Sequence, residues 1–266
     1  MEVDKRGCNM KINILIICFI VDLLICIGIP LGALIYIFIK KRKLVKSYFI
    51  GMIVFLISQV FLRLPLINNV LSKFDPYMIF STIHPVMNAI FLGVTAGLFE
   101  EVGRYAGFKF ALKNNRSFED GIAFGIGHGG IEAVIIGGTA AVQNLAALLY
   151  LKSGDTSKVI FSMSKDQLIK VFEQANISDA LFIGVERVFA MGIHIGLTMM
   201  ILYGINQLKR KYLYLAIGLH ALIDSSVGIL QCIGATNLII EVVIAVSSIL
   251  LIFYVIKLKN KFIEVN

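Results

Sequence analysis

Charge is scarce in this chain. Asp, Glu, Lys and Arg make up 16% of its 266 residues, while 58% are hydrophobic. A soluble domain of this size carries roughly a quarter charged residues and breaks its apolar stretches every few places. Cysteine is scarce too: Cys8, Cys18, Cys26 and Cys232 form no CxxC pair, which leaves out paired-thiol metal ribbons and redox motifs. Three of the four lie in or beside apolar runs and read as small buried hydrophobes. Tryptophan is absent, and no internal repeat or low-complexity tract is visible. Acids are fewer than bases, giving a net charge of +8. The Lys and Arg residues sit in short clusters between apolar runs, however, and form no single basic face, so nucleic acid is excluded as a partner.

What the chain has instead is apolar length. Runs of about 20 apolar residues recur, enough for a helix to cross roughly 30 Å of hydrocarbon. Continuous runs of this kind are helices, because the bilayer leaves no water for a free backbone. The expected architecture is an all-α polytopic membrane bundle of about seven transmembrane helices, forming one integral-membrane domain over residues 1–266. The runs suggest spans at Ile12–Lys40, Tyr48–Leu66, Tyr77–Gly103, Gly121–Leu151, Leu181–Ile205, Tyr212–Ile233 and Leu238–Ile256. The first is too long for a signal-peptide core and is kept as a span. Pro30 is expected to kink it, and Asp22 lies within it. Asp75-Pro76 looks like a helix start with Asp75 as the cap. Residues 152–179 form the one sizeable extramembrane loop, in which Ser164 and Gln167 resemble a capping box opening a short amphipathic helix.

Lys40–Lys46, Arg104–Arg116, Lys209–Lys211 and Lys257–Lys261 are basic clusters that fall on one side of a seven-span arrangement. The positive-inside rule then puts the N-terminus out and the C-terminus in. Glu2 and Asp4 offset the Lys5, Arg6 and Lys11 that argue the other way.

The stretch Leu98–Glu132 carries Glu100, Glu101, Arg104, His128 and Glu132 in or beside hydrocarbon. Each such group costs about 2.5–3.5 kcal/mol on insertion scales, which makes it a functional suspect. At about 1.5 Å per residue, His128 and His220 both lie roughly 10–14 Å inside the cytoplasmic face. Glu100 and Glu101 approach the same depth, and His194 sits near the level of Glu132. The pairs Glu100/Arg104, Phe124/His128, His128/Glu132 and His220/Asp224 are each four apart and share a helical face. Glu100 and Glu101 are about 100° apart, so only one is expected to point squarely inward. Paired carboxylates with histidines at one depth suit activation of water by a base, with donors for an oxyanion. A divalent metal such as zinc would serve through a bound hydroxide, with His128, His220 and Glu132 as the ligands considered.

The motifs Glu100-Glu101-Val-Gly-Arg104, Phe124-Gly-Ile-Gly-His128 and His220-Ala-Leu-Ile-Asp224 stand in the order found in the CAAX protease and bacteriocin-processing (CPBP) intramembrane proteases. They resemble more closely the related YhfC-type intramembrane metalloproteases, over roughly residues 77–232. The resemblance implies that Glu100 or Glu101 activates water with His128, while His220 and Asp224 bind the oxyanion. It also implies a peptide or protein substrate, either free or membrane-anchored, and a bacterial plasma-membrane location. Arg104 stands three residues after the second Glu where the prenyl endopeptidases have four, which makes Glu100 its expected partner. Asp224 replaces their Asn, and a carboxylate cannot donate to an oxyanion unless protonated.

Plainer readings stand beside these. Glu100, Glu101 and Arg104 could be an ordinary salt-bridged helix end, and His128 a packed histidine. Glu132 could pair with Arg187 or His194, and the glycines around His128 could serve helix packing alone. Glu186-Arg187 and His84 read as structural. As whole-protein alternatives, buried acids and histidines could relay protons or pass a metal in a transporter. A catalytically idle immunity or binding protein on the same scaffold is the third class.

Overall fold

The computed structural model describes residues 5–153 and 164–263, and every regular element in them is helical. Cys8 and the middle of the 152–179 loop lie outside the side chains described. Seven helices are long and apolar enough to cross a membrane: Met10–Lys40, Arg42–Lys73, Pro85–Ala111, Phe118–Lys152, Ile177–Asn206, Lys211–Cys232 and Asn237–Phe262.

Several boundaries differ from the sequence expectation: the second span starts at Arg42, the third runs on to Ala111 and the seventh to Phe262, and two further differences have a local backbone cause. The second span continues to Lys73 rather than ending at Leu66, through π-helical turns at Leu56–Arg63 and Leu66–Val70. The third starts at Pro85. Asp75–Ile83 is a separate short helix, and the backbone breaks at His84 (φ −122°, ψ 63°), the residue that Pro85 pushes out of helical geometry. Asp75 does not cap that helix: Phe74 takes the cap position and no side chain bonds there. His84 is exposed. Beside Pro30 the first span widens into a π turn at Leu24–Gly28, the usual relief where a proline cannot bond. The capping box forms as expected, with Ser164 and Gln167 bonding reciprocally to open the Lys165–Gln174 helix.

The chain divides into two compact units. One joins the chain up to Ile29 with Ala133–Val188. Leu168 and Phe172 of the short amphipathic helix pack there with Leu15, Phe19 and Leu148. Cys18 and Cys26 are buried in this unit, as expected, whereas Cys232 in the other is exposed. Asp22 is fully buried, its Oδ1 accepting the Gly184 N–H at 2.9 Å, and Arg187 pairs with its neighbour Glu186.

The other unit, Pro30–Glu132 with Phe189–Asn266, holds the larger core. Its helices approach through glycines, as close packing in lipid requires. A Cβ at Gly97 would lie 2.7 Å from the Ile217 carbonyl oxygen, which locks the third span to the sixth. One at Gly127 would collide with the Tyr48 carbonyl, and one at Gly129 would press on His194. The glycines beside His128 therefore admit neighbouring helices and are not open space. The fifth span is the most enclosed, 61% of its apolar window being buried against 33% or less in the others. His194 lies on it.

Candidate active site

All of the ionisable residues singled out from the Leu98–Glu132 stretch, with His194, His220 and Asp224, fall in this second unit. Glu100, Glu101, Arg104, His128, His194 and His220 are each at most 5% exposed. Burying so many charges in hydrocarbon is tolerable only if they satisfy one another, and they do.

Arg104 is the centre. Its guanidinium donates to Glu100 Oε2 at 3.0 Å, to Glu101 Oε1, and to His194 Nδ1 at 2.6 Å. Both glutamates thus face the site, correcting the expectation that only one would, and Arg104 pairs with both rather than with Glu100 alone. The 100° between them is used to straddle: Glu100 reaches the fourth span, where His128 Nε2 donates to its Oε2 at 2.9 Å. Glu101 reaches the sixth, where His220 Nδ1 donates to its Oε1 at 2.7 Å. His220 Nε2 then faces Asp224 Oδ2 at 3.5 Å and Glu100 Oε1 at 4.0 Å. Asp224, 42% exposed, is the open edge of the group. Glu132 pairs with His194 Nε2. Phe124 stacks on Phe108 with centroids 4.6 Å apart and lies parallel to His128 at 6.3 Å, a wall that fixes the ring.

Buried polar atoms without a hydrogen-bond partner mark where something else is to be received. Glu101 Oε2, Arg104 Nε and His128 Nδ1 are such atoms, as is Thr198 Oγ1, one turn beyond His194.

Glu100, His128 and His194 offer ligand atoms that all lie within 4.8 Å of one another, the one group of this kind among the described residues. Two imidazoles and a carboxylate are a catalytic zinc donor set. Glu132 behind His194 supplies the carboxylate that orients a metal-binding histidine. His128 Nδ1 has no partner, so with a metal bound it would carry the ring proton in place of Nε2 and leave Nε2 as the ligand. The residues present therefore fit a divalent metal, although Arg104 lies against two of the same atoms. Of the three ligands considered from sequence, only His128 belongs to this group. His220 is held by Glu101, and Glu132 stands one step back.

Two further members of the network went unnoticed in the sequence. Gln59 donates to Glu100 Oε1, and Arg63 donates to Gln59 Oε1 at 3.0 Å. Both belong to the second span, and their only sequence signal is a polar pair four apart inside the apolar run FLISQVFLRL.

The chain is 28% identical to the uncharacterized membrane protein YhfC of Bacillus subtilis (strain 168), over 88% of this chain and 92% of that one. No solved structure matches. The profile of the YhfC intramembrane metalloprotease family matches residues 25–246 and so covers the glutamate pair and all three buried histidines. This integral membrane protein belongs to the YhfC intramembrane metalloprotease family.

Proposed function

We propose that the protein is an intramembrane protease of the bacterial plasma membrane, hydrolysing a peptide bond of a peptide or membrane-anchored protein. The observation that carries this reading is the closed network of Glu100, Glu101, Arg104, His128, His194 and His220 inside an apolar bundle. Amide hydrolysis needs a base for water and a donor for the oxyanion. Glu101 is the base: Oε1 is tied to Arg104 and His220, while Oε2 is buried and unpartnered, ready to take a proton from water. Arg104 pairs with both carboxylates side by side. His220 donates from Nδ1 to Glu101, so it would offer the developing oxyanion a donor at the Asp224 edge as an imidazolium, with Nε2 protonated as well. Glu100, His128 and His194 would hold a zinc ion, which when bound lowers the pKa of its water toward neutrality. The four basic clusters on one side of the bundle support a site in the cytoplasmic half of the membrane, with the N-terminus out.

The reading is tested with the purified protein in lipid nanodiscs, a quenched-fluorescent peptide pool and zinc analysis. Cleavage by wild type, lost in Glu101→Gln, supports it. A protein that cleaves nothing, or a variant that cleaves as well as wild type, overturns it. Orientation is read by labelling single cysteines in a cysteine-free background. Lys43→Cys and Lys113→Cys should resist a membrane-impermeant reagent applied outside, and Asn237→Cys should react; the reverse pattern overturns the topology.

A further inference from the structure

Glu100 faces Gln59 on the second span, His128 on the fourth, His194 on the fifth and His220 on the sixth, and its two oxygens are treated differently. Oε2 meets Arg104, His128 and the side of His194, the atoms of the zinc donor set and its guanidinium. Oε1 meets Gln59. Which way a glutamine amide points is settled by its neighbours, and here the neighbour leaves no choice. Arg63 is donor-only, so the Gln59 oxygen must face Arg63, and the Gln59 NH₂ must face Glu100. Arg63 is itself fixed on both other sides. Its Nε donates to Thr95 Oγ1 at 3.1 Å and its Nη2 to the Leu92 carbonyl at 2.6 Å. Thr95 and Leu92 belong to the same helix as Glu100, one to two turns away. Arg63, anchored to that helix at the Leu92 carbonyl, therefore donates to Gln59, and Gln59 in turn donates to Glu100.

The backbone is shaped for this. Leu56–Arg63 is π-helical, and four residues apart on it Gln59 and Arg63 share a face and bond to each other. Such π segments are frequent at functional sites. Ser58 and Gln59 are the buried residues of this segment. An amide and a guanidinium placed there for solubility would point outward. A simple interhelical tie would not need the Arg63 bond that fixes which end of the amide faces the carboxylate.

We infer that Gln59, oriented by Arg63, is a positioning residue that holds Glu100 by Oε1 and so presents Oε2 to His128 and His194. The relay rests on the proposed function, because it matters only if Oε2 is the working atom. Its loss lets the Glu100 carboxylate rotate away from the donor set while Arg104 still keeps it buried.

The test uses the full-length protein in nanodiscs. Zinc affinity is measured by competition with a chromogenic chelator, and kcat and KM with a peptide cleaved from the pool. Gln59→Met keeps length and removes the donor; Gln59→Leu is a second apolar replacement should the first not fold. Interhelical hydrogen bonds in membranes are worth little on average, so the bundle tolerates such a change. Removing a group that orients a ligand costs about 10–100-fold in metal affinity or activity. A fall of that size is expected in zinc affinity and in kcat, with KM unchanged. Arg63→Met should produce a smaller fall of the same kind. The double variant Gln59→Met/Arg63→Met should be no worse than Gln59→Met alone, because Arg63 acts through Gln59. A merely structural pair would move KM and folding together with kcat. Wild-type zinc affinity and kcat in Gln59→Met or Gln59→Leu, or additive losses in the double variant, would overturn the inference. A wild-type protein that neither binds zinc nor cleaves peptide instead fails the proposed function, and the inference falls with it.

Discussion

Two neighbourhoods bury an acid completely, and they do so in different company. Asp22, in the unit that joins the chain up to Ile29 with Ala133–Val188, accepts one backbone N–H from Gly184, and its Oδ2 has no hydrogen-bond partner. Glu100, in the other unit, meets Gln59, Arg104 and His128 on three different spans. On insertion scales the two acids look alike. The difference teaches that the cost of burial identifies candidates, whereas the kind of partner separates them. A backbone donor ties one helix to another. A guanidinium, two imidazoles and an amide around a carboxylate pair keep it charged and aimed.

The comparison breaks first, and by most, at the glutamates. Glu101→Gln should cut hydrolysis by a factor on the order of 10²–10⁴, the usual worth of a general base, and should leave zinc affinity near wild type. Glu100→Gln should lose both hydrolysis and zinc, since it removes a ligand oxygen. Parallel hydrolysis and chelator-competition measurements distinguish the two, and identical profiles would contradict the assignment of roles. Next comes Glu132→Gln, which weakens the orientation of His194 and should lower zinc affinity about 10–100-fold. Smallest is Asp22→Asn. It keeps an acceptor for the Gly184 N–H, so hydrolysis and zinc affinity should stay close to wild type, with any change confined to thermal stability in detergent. A loss from Asp22→Asn as deep as that from Glu101→Gln would erase the distinction between the two neighbourhoods.

Much of the site was legible in the sequence because its residues break long apolar runs. Glu100, Glu101, Arg104, His128 and His220 interrupt hydrocarbon-length segments at matched depth, and the helix is regular enough for depth to be counted. Gln59 and Arg63 were not legible, and the reason is the span boundary. If the second span ends at Leu66, Arg63 is an end residue of the kind that snorkels to the interface. The helix in fact passes Pro65 through π turns and continues to Lys73, which leaves Arg63 inside. Hydrophobic periodicity does not announce a π turn, because one extra residue per turn shifts the face without changing composition. The role of the glycines at 125–130 was equally hidden. A small residue fits open space or a crossing helix, and only the carbonyl of Tyr48 against Gly127 and His194 against Gly129 decide for the helix. That the two glutamates straddle the site could not be read from one helix either, since it depends on His128 and His220 arriving from opposite sides of Arg104.

The central claim is that water, activated at this buried network, cleaves a peptide bond. Hydrolysis run in heavy-oxygen water tests it most directly, with mass spectrometry of the peptide fragments. The account predicts that wild type yields fragments whose new C-terminal carboxyl carries one solvent oxygen, and that Glu101→Gln yields essentially none over the same time. Fragments lacking solvent oxygen, or equal labelled product from wild type and Glu101→Gln, would contradict it.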